Sequence, residues 1–237
     1  MNLLFLVEGG TTEYQVYSKW ISHLFPHLKL VARPEDMITD SYQIIAGHGY
    51  PNILRNTLEG CLQDVKRYNN VDHFFICIDS EEDTYQVRFD EIEERLSSLK
   101  NKVDMRQEQS TNFHVVVQNC CIETWFLGNA EIPTQSNKKN SSTKFLDFQS
   151  HYDILVDDPE LMIGLPPKSS YRTKASFHKA YLNEYLRGFG LRYIQSNPKM
   201  VEEKEYLDAL IKRCKMTNHL SSFKYLLEIW QELVRSI

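Results

Sequence analysis

At 237 residues, with 42% hydrophobic and 25% charged, the chain has an ordinary globular composition and is long enough for one large domain or a domain with an appendage. It has no apolar run of about eighteen residues, which excludes a hydrophobic spanning helix. Glu8 follows a short apolar stretch with no basic residue before it, unlike a secretory signal, so a cytoplasmic location is expected. A net charge of −5 argues against a surface dominated by nucleic-acid contacts, although a local basic patch can still hold a backbone.

The five cysteines, Cys61, Cys77, Cys120, Cys121 and Cys214, are odd in number and irregular in spacing. No CxxC pair occurs, so a zinc site is not expected, and adjacent Cys120 and Cys121 read as reduced, packed thiols.

Leu3 to Val7 is a short apolar run closed by Glu8-Gly9-Gly10, the pattern of a parallel strand buried on both faces. Glu13 to Leu24 has helical spacing, with Thr11 or Thr12 available as its cap. Pro51 to Tyr68 reads as a second helix. His73 to Ile78 is a second buried strand, ending abruptly at Asp79-Ser80-Glu81-Glu82-Asp83. Val87 to Leu99 is helical, Phe113 to Val117 is a β-branched strand, and Cys121 to Leu127 begins a short apolar helix. Strands alternating with helices predict an α/β fold with a mainly parallel central sheet. Residues 133–144, PTQSNKKNSSTK, read as a linker or mobile loop. Beyond it strands are hard to find. Ala175 to Phe189, Val201 to Met216 and Ser222 to Val234 read as helices, so the expected division is a core over 1–132, a linker over 133–144 and a helical region over 145–237 packed on that core.

Ligands of open parallel sheets sit outside the carboxyl ends of the strands. Two predicted strands end in carboxylates, Glu8 on one and Asp79 with Glu81 on the other. If the strands are neighbours these groups converge, and a hard divalent cation relieves their repulsion; Mg²⁺ suits such a site because it keeps waters for a substrate phosphate. The alternative is a solvated acidic loop over Asp79–Asp83 that caps the next helix. Gly9 and Gly10 either make a tight turn or let a phosphate or metal approach the backbone. The pattern is neither a P-loop nor GxGxxG.

The segments FLVEGGTTE, FFICIDSEED and IETWFLGN resemble the three signature regions of TOPRIM-type proteins, closest to the OLD-like and RloB-like proteins of bacterial phage defence. The resemblance covers residues 1 to about 130. It implies a Rossmann-like TOPRIM fold and a cation, Mg²⁺ or Mn²⁺, held by Glu8, Asp79 and Glu81. The usual DxD is DxE here, and Asp83 is a further ligand candidate. Relatives often read EGxTE where this chain has EGGTTE, so Glu13 reads either as a favourable charge in the first helical turn or as a support to the site. Glu123 lies among Ile122, Trp125, Phe126 and Leu127; a carboxylate there needs a cation, so it either completes the site or pairs with Lys or Arg. Trp125 reads as core rather than as a stacking platform.

In YRTKASFHKAYL, Arg172, Lys174, His178 and Lys179 fall within eight residues, with Arg187 and Arg192 beyond. Lys174 and Lys179 are the candidates to hold a phosphate backbone, unless these cations simply face solvent. His178 is either structural or a general base. The stripe Phe223, Leu226, Leu227, Ile229, Trp230 and Leu233 closes the domain or meets a partner, a second copy of the chain included. Two functions follow as expectations. One is a Mg²⁺-dependent nuclease acting on DNA or RNA, with Glu8, Asp79, Glu81 and Glu123 as its catalytic carboxylates and, by resemblance, an AAA/ABC-type ATPase encoded alongside in antiviral defence. The other is a non-catalytic TOPRIM-like module that binds a nucleotide or a protein.

Overall fold

The computed structural model of the protein describes residues 1–105, 110–132, 142–167 and 169–235; positions 133–141 of the expected linker lie outside the described residues. The fold is α/β, built on a five-stranded parallel sheet. In chain order the strands are β1 (Asn2–Val7), β2 (Lys29–Leu30), β3 (Ser41–Ala46), β4 (His73–Asp79) and β5 (Asn112–Gln118), in the spatial order β2-β3-β1-β4-β5. Every residue of β1 is buried, as are Phe74 to Ile78 of β4. These two apolar strands are therefore parallel inner neighbours, with Val7 opposite Cys77. Phe5 stacks on Phe75 with ring centroids 4.4 Å apart. Full burial of each such side chain contributes roughly 1.5–3 kcal/mol, which is why this pair sits at the middle of the sheet.

The periodicity of the sequence does not announce β3. Its polar residues Ser41 and Gln43 break the apolar pattern, yet both are buried. Ser41 Oγ donates to Asn2 Oδ1 at 3.0 Å and Gln43 Nε2 donates to the Ala32 carbonyl at 3.0 Å, which offsets their desolvation. The chain leaves β3 through Gly47, where an added Cβ would meet the Ile53 Cβ at 2.5 Å, so only glycine lets strand and helix approach this closely. That helix opens with a wide π turn, Ile53–Thr57, and continues as α2 (Leu58–Tyr68). With α1 (Thr12–Leu24) and α3 (Tyr85–Lys102) it completes the helices of the sheet.

The chain forms two compact units. The first takes in 1–78 and 86–117, the second 79–85 and 118–237. The second is helical: α4 (Ile122–Phe126), α5 (Thr143–His151), α6 (Lys174–Arg187), α7 (Lys199–Glu202), α8 (Lys204–Met216) and α9 (Ser221–Arg235). α5 begins inside the stretch read as linker, with Ser142 accepting the Phe145 amide at 3.0 Å. The helix expected over 201–216 is broken at Glu203, whose extended backbone separates α7 from α8. The C-terminal stripe packs inward, with Phe223, Leu226, Leu227, Trp230 and Leu233 all buried. Arg213, also buried, donates to the carbonyls of Gly128, Ile154 and Asp157 and so ties α8 to two loops. Among the described residues no helix is long and apolar enough to cross a membrane.

Within the first unit, His73 Nδ1 and His114 Nε2 share a hydrogen bond of 3.0 Å, and the His114 ring lies on Phe75. Burial, and secondarily the neighbouring His73, pushes His114 down from 6.5 to about 4, and burial lowers His73 as well. An unfolded chain takes up these protons near pH 6.5, whereas in the folded one His114 resists until about 4 and His73 is held below its ordinary value by burial. Stability from the pair is complete above the unfolded value and is lost as pH falls towards the folded one. The melting temperature is therefore expected to fall between pH 6.5 and 4.5, and less steeply in His114→Phe. Equal slopes in the two proteins would show that the pair does not contribute.

Candidate functional site

The sheet itself places the first two carboxylates. β2 and β3 lie on one side of β1, and β4 and β5 on the other, so the strand order reverses beside β1. Such a reversal is where open parallel sheets take up ligands, outside the carboxyl ends of the strands. Glu8 is the residue after β1 and Asp79 is the last residue of β4, the strand paired to it.

Within the first unit, Glu8 is half-buried and its Oε1 accepts the Tyr50 amide at 3.2 Å. Its carbonyl accepts the Gly49 amide at 3.0 Å, so the turn after β3 holds the backbone of Glu8 in place. Glu13 stands in the first turn of α1 with its carboxylate folded against Gly9, where any Cβ would strike it. That carboxylate is the flexible end of a side chain, so Gly9 is not demanded by the space. Gly10 is exposed. Thr11 precedes α1 but makes no side-chain capping bond.

Within the second unit, Asp79 is half-buried, and the chain beyond it continues to pair with the last residue of β5 and the segment that follows it. The Ser80 amide donates to the Gln118 carbonyl and the Glu81 amide to the Cys120 carbonyl, both at 2.9 Å. Glu81 then turns with φ +51 and, like Glu82 and Asp83, is exposed. A non-glycine residue in this left-handed region costs roughly 1–2 kcal/mol. The acidic loop has a docking role of its own. Glu82 Oε1 accepts the Lys174 amide at 2.6 Å, placing a carboxylate on the N-terminus of α6, where the helix dipole favours it. Lys174 Nζ reaches back to the Asp83 carbonyl at 3.4 Å.

Glu123 is 3% exposed. Its Oε1 accepts the Tyr193 hydroxyl at 2.9 Å and Gln195 Nε2 at 3.1 Å, and Lys179 Nζ lies 3.7 Å away. Of the two alternatives for this carboxylate, the structure places a lysine beside it. Tyr193 and Gln195 escape a reading of the sequence because they stand about seventy residues downstream in a segment with no regular periodicity. Lys174 and Lys179, the candidates for a phosphate backbone, thus both lie against the protein's own acceptors; Arg187 pairs with Glu184 at 3.2 Å, while Arg172 and Arg192 are exposed.

His178 is buried, and both ring nitrogens are engaged. Nε2 lies 2.9 Å from the Met162 carbonyl, and Nδ1 lies 2.7 Å from the Thr124 hydroxyl. Because a carbonyl only accepts, Nε2 carries the proton and Nδ1 receives one from Thr124. Burial pushes this imidazole down to about 4, so it is neutral near pH 7. Trp125 is fully buried and donates from Nε1 to Ser222 Oγ at 2.8 Å, a core role. All five cysteines are free and buried. No family model, curated protein or solved structure matches the chain.

The partners of Glu123 generate a clear expectation. Glu123→Ala strands a buried hydroxyl, an amide and the Lys179 ammonium, and should destabilise the protein by about 2–4 kcal/mol in urea unfolding. A carboxylate held in readiness for a cation would behave oppositely, because its removal relieves repulsion and raises metal-free stability.

Proposed function

We propose that the protein is a TOPRIM-type, Mg²⁺-dependent phosphodiesterase, a nuclease acting on DNA or RNA. One observation supports this above others: β1 and β4 are parallel neighbours in register at the point where the strand order reverses, and each brings a carboxylate at its carboxyl end. Carboxylate oxygens are the hard donors Mg²⁺ or Mn²⁺ prefers, and Glu8 and Asp79 are the residues that would hold it, with Glu81 and Asp83 as further candidates. A cation so held supplies Lewis-acid stabilisation of a phosphoryl oxygen and a more acidic water. The Tyr50 amide keeps Glu8 oriented by occupying one of its oxygens, and Gly10, lacking a side chain, leaves its backbone open to a phosphate. On this reading Glu123 supports the fold of its own unit through Tyr193, Gln195 and Lys179 rather than acting on substrate. The resemblance to phage-defence proteins extends the proposal to a cytoplasmic role in antiviral defence beside an AAA/ABC-type ATPase.

A second reading, a non-catalytic module binding a nucleotide or a protein, draws on a different observation. Lys174 and Lys179 are turned to the Asp83 carbonyl and to Glu123, which lessens the free positive charge available to a nucleic-acid backbone.

The two readings separate in one assay, with single- and double-stranded DNA and RNA incubated with Mg²⁺ or Mn²⁺, alone and with any ATPase encoded alongside. Glu8→Gln and Asp79→Asn each keep the shape and remove one negative charge, and each should lower cleavage by at least about 100-fold with no loss of melting temperature. Cleavage that survives both substitutions, or persists in EDTA, would remove the cation. A wild type inactive on every substrate would favour the binding module.

A further inference from the structure

Apart from the strand-end carboxylates, the second unit brings together two thiols and an imidazole. Cys120, Cys121 and His178 are all buried, and one ligand atom from each lies within 4.8 Å of the others. The geometry points to a soft-metal site at Cys120 Sγ, Cys121 Sγ and His178 Nδ1, with Zn²⁺ as the cation it fits. Nothing in the residue spacing announces it, since the pair is CC rather than CxxC and the third ligand stands in α6.

Three features of the surroundings favour a ligand role. A metal-bound imidazole characteristically donates its other N–H to a carbonyl or carboxylate, which fixes the ring and directs the lone pair at the metal. The Met162 carbonyl does this for His178 at 2.9 Å. The lone pair of Nδ1 is directed at Thr124 Oγ1, which itself lies 3.6 Å from Cys121 Sγ, so a single small hydroxyl stands between nitrogen and sulfur. That hydroxyl also accepts the amides of Cys120 and Cys121 at 3.2 and 3.3 Å, and it keeps those bonds when its proton turns away from Nδ1. Lastly, tetrahedral Zn²⁺ with two sulfurs and a nitrogen needs ligand atoms about 3.7 Å apart, so the three side chains close on the ion by about 1 Å or less.

The donor set determines the metal. Two thiolates and an imidazole favour Zn²⁺ over Mg²⁺, and three protein ligands leave a fourth position to water or another small ligand. Binding releases the two thiol protons to solvent and involves no oxidation or reduction. The site is thus chemically separate from the carboxylates of Glu8 and Asp79 and stands whether or not the nuclease reading does.

The test uses the full chain, reduced and free of metal, titrated with Cd²⁺ and with Co²⁺. One equivalent should produce thiolate-to-metal charge transfer with Cd²⁺ and the visible absorption of tetrahedral Co²⁺. Excess Mg²⁺ should leave both bands unchanged and Zn²⁺ should abolish that of Co²⁺. Cys120→Ser and Cys121→Ser should each weaken Zn²⁺ binding by at least about ten-fold, a loss that even outer partners of a metal site cause. Cys214→Ser, a buried thiol elsewhere in the same unit, should change nothing. Should either serine variant fail to fold, Zn²⁺ protection of Cys120 and Cys121 from alkylation in the wild type, read by peptide mass mapping, reports on the same contacts. Absence of charge transfer at equimolar Cd²⁺ in the folded protein, a band retained in the Cys120→Ser/Cys121→Ser double variant, or unprotected thiols would overturn the site.

Discussion

A parallel strand buried on both faces can carry polar chemistry only at its ends. β1 is apolar from Leu3 to Val7 and β4 from Phe74 to Ile78, and the Phe5–Phe75 stack joins them at the centre of the sheet. Neither strand has a position along its length where a carboxylate would be solvated. Both therefore place their first acidic residue directly after the apolar run, as Glu8 and as Asp79. The strands are parallel and in register as far as Val7 and Cys77, so each apolar run is followed by its carboxylate at the carboxyl end of its own strand. The proposed chemistry is thus a consequence of how the core is built.

The acidic residues beyond these two divide by their partners. Glu82 binds the first amide of α6, and Glu123 receives a hydroxyl, an amide and the approach of a lysine. Both lower the energy of the protein without any ligand. Glu81 is different, since it is exposed and held in a left-handed conformation that a non-glycine residue adopts only at a cost. Strain of that kind persists where the backbone on either side is fixed. Here the amides of Ser80 and Glu81 and the turn bond from Asp83 fix it.

Much of the sheet was legible because burial leaves a record in composition. The apolar runs of β1, β4 and β5 and the helical spacing of α1, α2 and α3 can be read directly. β3 was not, because Ser41 and Gln43 donate to Asn2 and Ala32, partners outside the strand that no local pattern reveals. Glu123 could be recognised as a group in need of a partner, but not which partner, since Tyr193 and Gln195 lie in an irregular segment. The same holds for Cys120, Cys121 and His178. A cluster formed from a loop and a distant helix has no spacing rule, and the sequence presents His178 as a structural residue or a general base within a basic stretch, not as a partner of the two thiols. Local physics is written locally; contacts between separate elements require the fold.

The central claim is that the carboxyl ends of β1 and β4 together hold a hard divalent cation. Anomalous diffraction from crystals soaked in Mn²⁺ tests it most directly. The account predicts an anomalous peak bound by carboxylate oxygens of both Glu8 and Asp79, absent from crystals of Asp79→Asn. Saturating Mn²⁺ with no peak at these residues, or a peak bound only by the exposed carboxylates of Glu82 and Asp83, would contradict it.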